Sequence, residues 1–138
     1  MTTKSEMVIV QGTQNNIMRV LSGLKEVDTH TSVLLDETGF LSVYQLSFYA
    51  VVSQVHRALL TKQPEWLTRQ LVWCPPSRTG EAGLKPQRFK NNLRGECLAV
   101  KGIRAYNLLP LSLVSLPLHS FKRGAKEWIK VEVPIKPP

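Results

Sequence analysis

Residues 42–60 contain neither glycine nor proline, and apolar side chains recur through them at helical spacing. Leu46, Tyr49, Val52, Val55 and Leu59 follow one another at steps of three and four, with Phe48, Val51 and Leu60 widening the stripe. That is the period of an amphipathic α-helix. Ser42-Val43-Tyr44-Gln45 gives it a start, because a serine hydroxyl and a glutamine amide three residues on can each accept the other's backbone N–H. Four β-branched residues (Val43, Val51, Val52 and Val55) lower the intrinsic helix preference, so burial has to hold the segment together. His56 falls on or near the apolar face. No acid or cysteine stands at a ligand-like spacing from it, so it reads as a packed or surface histidine.

The other segments read the same way. Residues 4–24 predict a first helix whose face carries Met7, Val10, Ile17, Leu21 and Leu24, with Gln14 filling a gap in the stripe. Thr3 and Glu6 would box its start; Gly12 weakens it and Gly23 suits its end. A core-facing stripe is expected, with a partner-binding seam as the alternative. A short helix is expected over 31–38, capped by Thr31 or Ser32, packed through Val33, Leu34 and Leu35, and stopped by Gly39. Pro64-Glu65-Trp66-Leu67 reads as a fresh start with proline at the first helical position and Trp66, Leu67 and Leu71 facing in. Residues 96–109 fit a helix better than a strand, through Leu98, Val100, Ile103, Tyr106 and Leu109. After Pro110, residues 111–116 form an apolar connector closed by Pro117. Ser120 is expected to cap a last helix with Phe121, Ala125, Trp128 and Ile129 inside, Lys122, Arg123, Lys126 and Lys130 outside, and Gly124 as an interruption. Residues 131–138 should form an extended tail. The expected architecture is mainly α: a single small domain over residues 1–138 with about five helices, a long basic loop and that tail.

The basic loop is residues 74–95. Pro75, Pro76, Gly80, Gly83, Pro86 and Gly95 alternate there with Arg78, Lys85, Arg88, Lys90 and Arg94. A loop of this length in a small domain is functional or mobile. Its two central glycines do not make a phosphate loop, since no GxxxxGK pattern is present. The loop begins the region that carries the chain's net charge of +8. Six basic and six acidic residues balance in residues 1–77, whereas residues 78–138 hold twelve basic against four acidic. Such asymmetry points to a polyanionic partner, with ordinary solubility as the alternative. The candidate contacts are Arg78, Lys85, Arg88, Lys90, Arg94, Lys101, Arg104, Lys122, Arg123, Lys126 and Lys130, and Tyr106 is a candidate for base stacking.

Catalytic constellations are not visible. The two aspartates, Asp28 and Asp36, do not form the clustered carboxylates of a two-metal polymerase or nuclease. Asp36 and Glu37 are helix neighbours about 100° apart, so they read as surface acids. The three histidines (His30, His56 and His119) are scattered, and no CxxC or HExxH occurs. No metal, cofactor or enzymatic activity is expected. Cys74 and Cys97 read as free thiols in a reducing compartment, with a disulfide left open. No apolar run is long enough to span a membrane, and the N-terminus lacks a signal-peptide core. The location expected is intracellular, in cytoplasm or nucleus.

Five local patterns in order resemble one family. Gln14-Asn15-Asn16-Ile17-Met18-Arg19-Val20-Leu21-Ser22-Gly23 is similar to the "QNxAxRxxxG" helix that follows the polymerase domain of non-LTR (LINE-like) retrotransposon reverse transcriptases. Gly39 to Tyr49 is similar to that family's "GxLSVxQLxxY" segment, and Pro64-Glu65-Trp66-Leu67 to its "P-x-aromatic-L" step. Lys101 to Pro110, ending Tyr106-Asn107-Leu108-Leu109-Pro110, resembles "RGxxxYN-x-LP", and Phe121 to Ile129 resembles "FKxxLKxWL". The likeness covers residues 7–130. Departures are Leu98 in place of an aromatic, Lys101 in place of arginine, and Gly124 in place of a better helix former. The resemblance implies a segment downstream of the polymerase, without the Tyr-x-Asp-Asp motif, that helps hold RNA template or target DNA. It also implies that the motif positions are mostly structural. A polymerase domain or a second copy, met through Leu111 to Leu116, is the alternative partner.

Overall fold

The structure is a computed structural model that describes residues 4–23, 30–76, 78, 82–85 and 98–136. Among these, seven helices and one short strand pair follow in the order α1 (Lys4–Ser22), α2 (Thr31–Thr38), α3 (Val43–Thr61), α4 (Glu65–Thr68), β1 (Trp73–Cys74), β2 (Gly83–Leu84), α5 (Leu98–Asn107), α6 (Leu111–Val114) and α7 (Leu118–Glu132). The strands are antiparallel, with Trp73 opposite Leu84 and Cys74 opposite Gly83. The fold is mainly α. No described helix is long and apolar enough to cross a membrane. Contacts gather into two compact units, one of Met1–Ser47 with Lys126–Pro138 and one of Phe48–Ala125. The continuous helices α3 and α7 contribute to both.

In the first unit the predicted capping box forms in full. The Ser42 N–H donates to Gln45 Oε1 at 2.9 Å and the Gln45 N–H to Ser42 Oγ at 3.2 Å. The same two side chains hold the end of α7. Gln45 Nε2 donates to the Val133 carbonyl at 2.9 Å, and the Ser42 hydroxyl donates to the Ile135 carbonyl at 2.8 Å. The Val133 carbonyl at the helix end and the Ile135 carbonyl beyond it have no partner within the helix, so each of these bonds satisfies a group that burial would otherwise penalise. Val131 and Glu132, expected to open the extended tail, continue α7 instead, and the chain beyond them is tied down as far as Ile135, which packs on Met18, Leu34 and Leu35.

The stripe expected to face the core on α1 turns outward. Only Met18 of this helix is buried, while Val10, Ile17 and Leu21 are exposed. The inward face is polar. Gln14 Nε2 donates to the Leu41 carbonyl at 2.8 Å, the Val43 N–H donates to Gln11 Oε1 at 2.9 Å, and Asn15 Nδ2 donates to Thr31 Oγ1 at 2.9 Å. The link between α2 and α3 presents unpaired backbone groups, and long amides satisfy them where aliphatic side chains would strand them. Helix α2 begins at Thr31 itself, so the cap expected of Thr31 or Ser32 falls instead to His30, which makes no side-chain capping bond. Gly39 ends α2 at φ 71°, a left-handed turn that glycine adopts without cost.

In the second unit, Val52, Val55 and Ala58 of α3 are buried, as are Leu67, Leu71, Leu84, Val100, Ile103, Tyr106 and Phe121. Each large side chain so buried contributes about 1.5–3 kcal/mol. Pro64 is the N-cap of α4 rather than its first helical residue, and its carbonyl accepts the N–H of Leu67 and Thr68. With a single turn available, Leu67 faces in and Trp66, about 100° away, is exposed. Residues 111–114 of the expected connector form the one-turn α6. The last helix begins at Leu118, two residues before the expected Ser120 cap, and the Pro117 carbonyl accepts the Phe121 N–H. Gly124 has a packing role: a Cβ there would lie 2.6 Å from Leu113 Cδ2. The interruption in the helical pattern is the place where α6 rests on α7.

Candidate nucleic-acid interface

The last helix divides cleanly by chemistry. Phe121, Ala125 and Ile129 are fully buried along one side, and Lys122, Arg123, Lys126 and Lys130 are exposed. At 3.6 residues per turn Lys122, Lys126 and Lys130 stand one above the next over about 12 Å, with Arg123 beside them. His119 lies on the same side and is exposed. One acid interrupts the ridge: Glu127 Oε1 lies 4.0 Å from Lys130 Nζ, and the Glu127 side chain is largely in solvent. Lysines at successive i, i+4 positions repel one another by a few tenths of a kcal/mol. Lys130, in the last turn, is favoured by the helix dipole, whereas Lys122 and Arg123 near the other end gain nothing from it.

The other predicted contacts are distributed. Lys101 and Arg104 stand one turn apart on α5, the first half-buried and the second exposed. Lys85 follows β2 and is exposed, as is Arg78 between the strands. Arg88, Lys90 and Arg94 lie outside the described residues, as does Cys97 and with it the question of a pair with Cys74. The strand pair has an anchor that composition does not reveal. Asn107 Nδ2 donates to the Leu84 carbonyl at 2.9 Å, and the Leu84 N–H donates to Asn107 Oδ1 at 2.8 Å. The side-chain amide thus pairs with one residue of backbone as a neighbouring strand would. Gly83 makes room for it, since a Cβ there would stand 2.9 Å from Asn107 Oδ1.

Tyr106, the stacking candidate, is 1% exposed and offers no face to a base in this structure. Its hydroxyl lies 2.7 Å from His56 Nδ1, and His56 Nε2 lies 2.8 Å from the Leu116 carbonyl. A carbonyl can only accept, so the imidazole proton is assigned to Nε2 and Nδ1 accepts from the tyrosine. The ring stacks on Phe121 at 3.8 Å between centroids and 11° between planes. Burial lowers the His56 pKa from 6.5, partly offset by the bond to Leu116, and raises that of Tyr106. His56, Tyr106 and Phe121 form a satisfied polar–aromatic core, so the packing role read for the Tyr-Asn-Leu-Leu-Pro motif is the one its tyrosine takes here.

Among the described residues no group of three His, Cys, Asp or Glu side chains is placed to hold a metal ion. A groove of about 460 Å³ lies along α1, lined by Lys4, Met7, Gln11, Tyr44 and Lys136 among others. Gln11 is committed to the α3 backbone there. No protein-family model, curated protein or solved structure matches the chain.

Proposed function

We propose that this chain is a non-catalytic nucleic-acid-binding module, anchored by the basic ridge of α7. The observation that carries the reading is that Lys122, Arg123, Lys126 and Lys130 share one exposed side of a helix whose other side is core. Arg104, Lys85 and Arg78 are further exposed cations in the same basic half. Positively charged side chains in this density bind phosphate backbones with little dependence on base sequence. The resemblance to the C-terminal segment of non-LTR retrotransposon reverse transcriptases supports the same reading and suggests RNA template or target DNA as the ligand. Cytoplasm or nucleus would be the site of such a role.

Fluorescence anisotropy with labelled single-stranded and duplex RNA and DNA at low salt tests it. Wild-type chain should bind, and Lys122→Glu/Lys126→Glu should weaken binding at least tenfold while leaving helicity unchanged. No binding by the wild type at low salt overturns the proposal. A second reading, a protein-interaction module, is favoured by one observation, the apolar face that α1 turns outward. The connector from Leu111 to Leu116 is less available for this, with Leu113 against Gly124 and the Leu116 carbonyl bonded to His56.

A further inference from the structure

Five aliphatic side chains of α1 stand in solvent: Ile9, Val10, Ile17, Val20 and Leu21, each between 48% and 82% exposed. With the exposed Thr13 they fall within an arc of about 120° on the helix surface. Exposed apolar residues scattered singly need no explanation, but a contiguous patch on the order of 500 Å² marks an interaction surface. The arc has no charged residue between its first and last members. Arg19, the one charged residue in that stretch, points about 140° away from the middle of the arc. Residues 1–77 carry no net charge, so contact between two copies here adds no local repulsion to that of two chains of +8.

The positions also match themselves. Counted along the chain, 9 and 21, 10 and 20, and 13 and 17 are symmetric about residue 15. In an antiparallel pair related by a two-fold axis at that level, Ile9 of one copy comes level with Leu21 of the other. Val10 likewise comes level with Val20, and Thr13 with Ile17. Their angular offsets place the two members of each layer on opposite sides of the seam, so each layer is filled from both helices. This is the self-complementarity that a two-fold interface requires. The antiparallel arrangement also sets the two helix dipoles head to tail. Two copies would bury on the order of 1,000 Å², the threshold for a specific association.

We infer that α1 is a homodimerisation helix and that the occupant of its outward face is α1 of a second copy, packed antiparallel. Light scattering coupled to size exclusion at high protein concentration should give twice the chain mass of 15.6 kDa. Raising the salt should not reduce it. Ile17→Glu/Val20→Glu should return the monomer with helicity intact, whereas Val8→Glu, equally solvent-facing but outside the arc, should leave the dimer. Register is read by cysteine cross-linking in a Cys74→Ser/Cys97→Ser background. A mixture of Val10→Cys and Val20→Cys chains should cross-link faster than either alone. A monomeric wild type, a dimer indifferent to the double glutamate, or dissociation by Val8→Glu overturns the inference. Faster cross-linking of Val10→Cys with itself overturns the antiparallel arrangement.

Discussion

Replacing His56 by alanine should remove about 4 kcal/mol of stability. The imidazole is 1% exposed, stacked on Phe121, and hydrogen-bonded at both nitrogens. Truncation strands the Tyr106 hydroxyl and the Leu116 carbonyl, and an unsatisfied buried polar group costs about 1–3 kcal/mol. The vacated ring volume adds a cavity term. Set against a total of about 5–15 kcal/mol for a domain, this is a large share. Tyr106→Phe removes one bond and leaves His56 Nδ1 without a donor, at about 1–2 kcal/mol. The pair His56→Ala/Tyr106→Phe removes both partners of that bond, so its loss should be smaller than the sum of the two single losses by about 1 kcal/mol or more. Urea unfolding followed by circular dichroism at pH 7.5 gives each value. Additivity within about 0.3 kcal/mol, or a cost for His56→Ala below about 1 kcal/mol, refutes the coupled core.

The same site sets a pH dependence. The folded chain holds His56 neutral, with its pKa lowered from 6.5 chiefly by burial. Above 6.5 folded and unfolded chains both carry the neutral ring, and its contribution is complete. As pH falls through 6.5 the unfolded chain takes up a proton that the folded chain resists, and stability declines. The wild type should therefore lose stability between pH 7.5 and 5, and the His56→Leu variant should show a flatter profile. Parallel profiles for the two chains contradict the assignment.

Asn107→Ala should cost about 2 kcal/mol by leaving the Leu84 N–H and carbonyl unpaired, and should speed hydrogen exchange at Leu84; unchanged exchange refutes the anchor. Gly83→Ala should do the same by pressing its Cβ on Asn107 Oδ1, again read at Leu84. Gln45→Ala breaks the capping box and frees the Val133 carbonyl, at about 2 kcal/mol; a urea midpoint unchanged from wild type would show that neither bond matters.

The helical elements are legible because the strong signals are local. The Ser42–Gln45 box, the glycine after α2 and the proline before α6 each act within a few residues. The facing of α1 is not legible in the same way. Its aliphatic stripe predicts burial, but the backbone groups it packs beside come from residues 41–43, and amides answer them better than hydrocarbon does. Leu46 is displaced from the core for a related reason, since Gln45 takes the inward position to reach the end of α7. Trp66 reads as core by its size, yet a single turn has room for Leu67 alone. The basic ridge of α7 was visible as charge spacing, while the Asn107 clamp was not, because its partner lies 23 residues away in a strand of two residues. His56 reads as a packed or surface histidine and is packed, but its two partners come from Tyr106 and the turn after α6, which no sequence period connects.

The dependence of nucleic-acid affinity on salt tests the central claim most directly. A ridge that neutralises phosphates releases counterions, so log Kd should rise steeply with log salt, and the slope should fall by about one unit for each of Lys122, Lys126 and Lys130 changed to alanine. A salt-independent affinity, or a slope that these three substitutions leave unchanged, contradicts it.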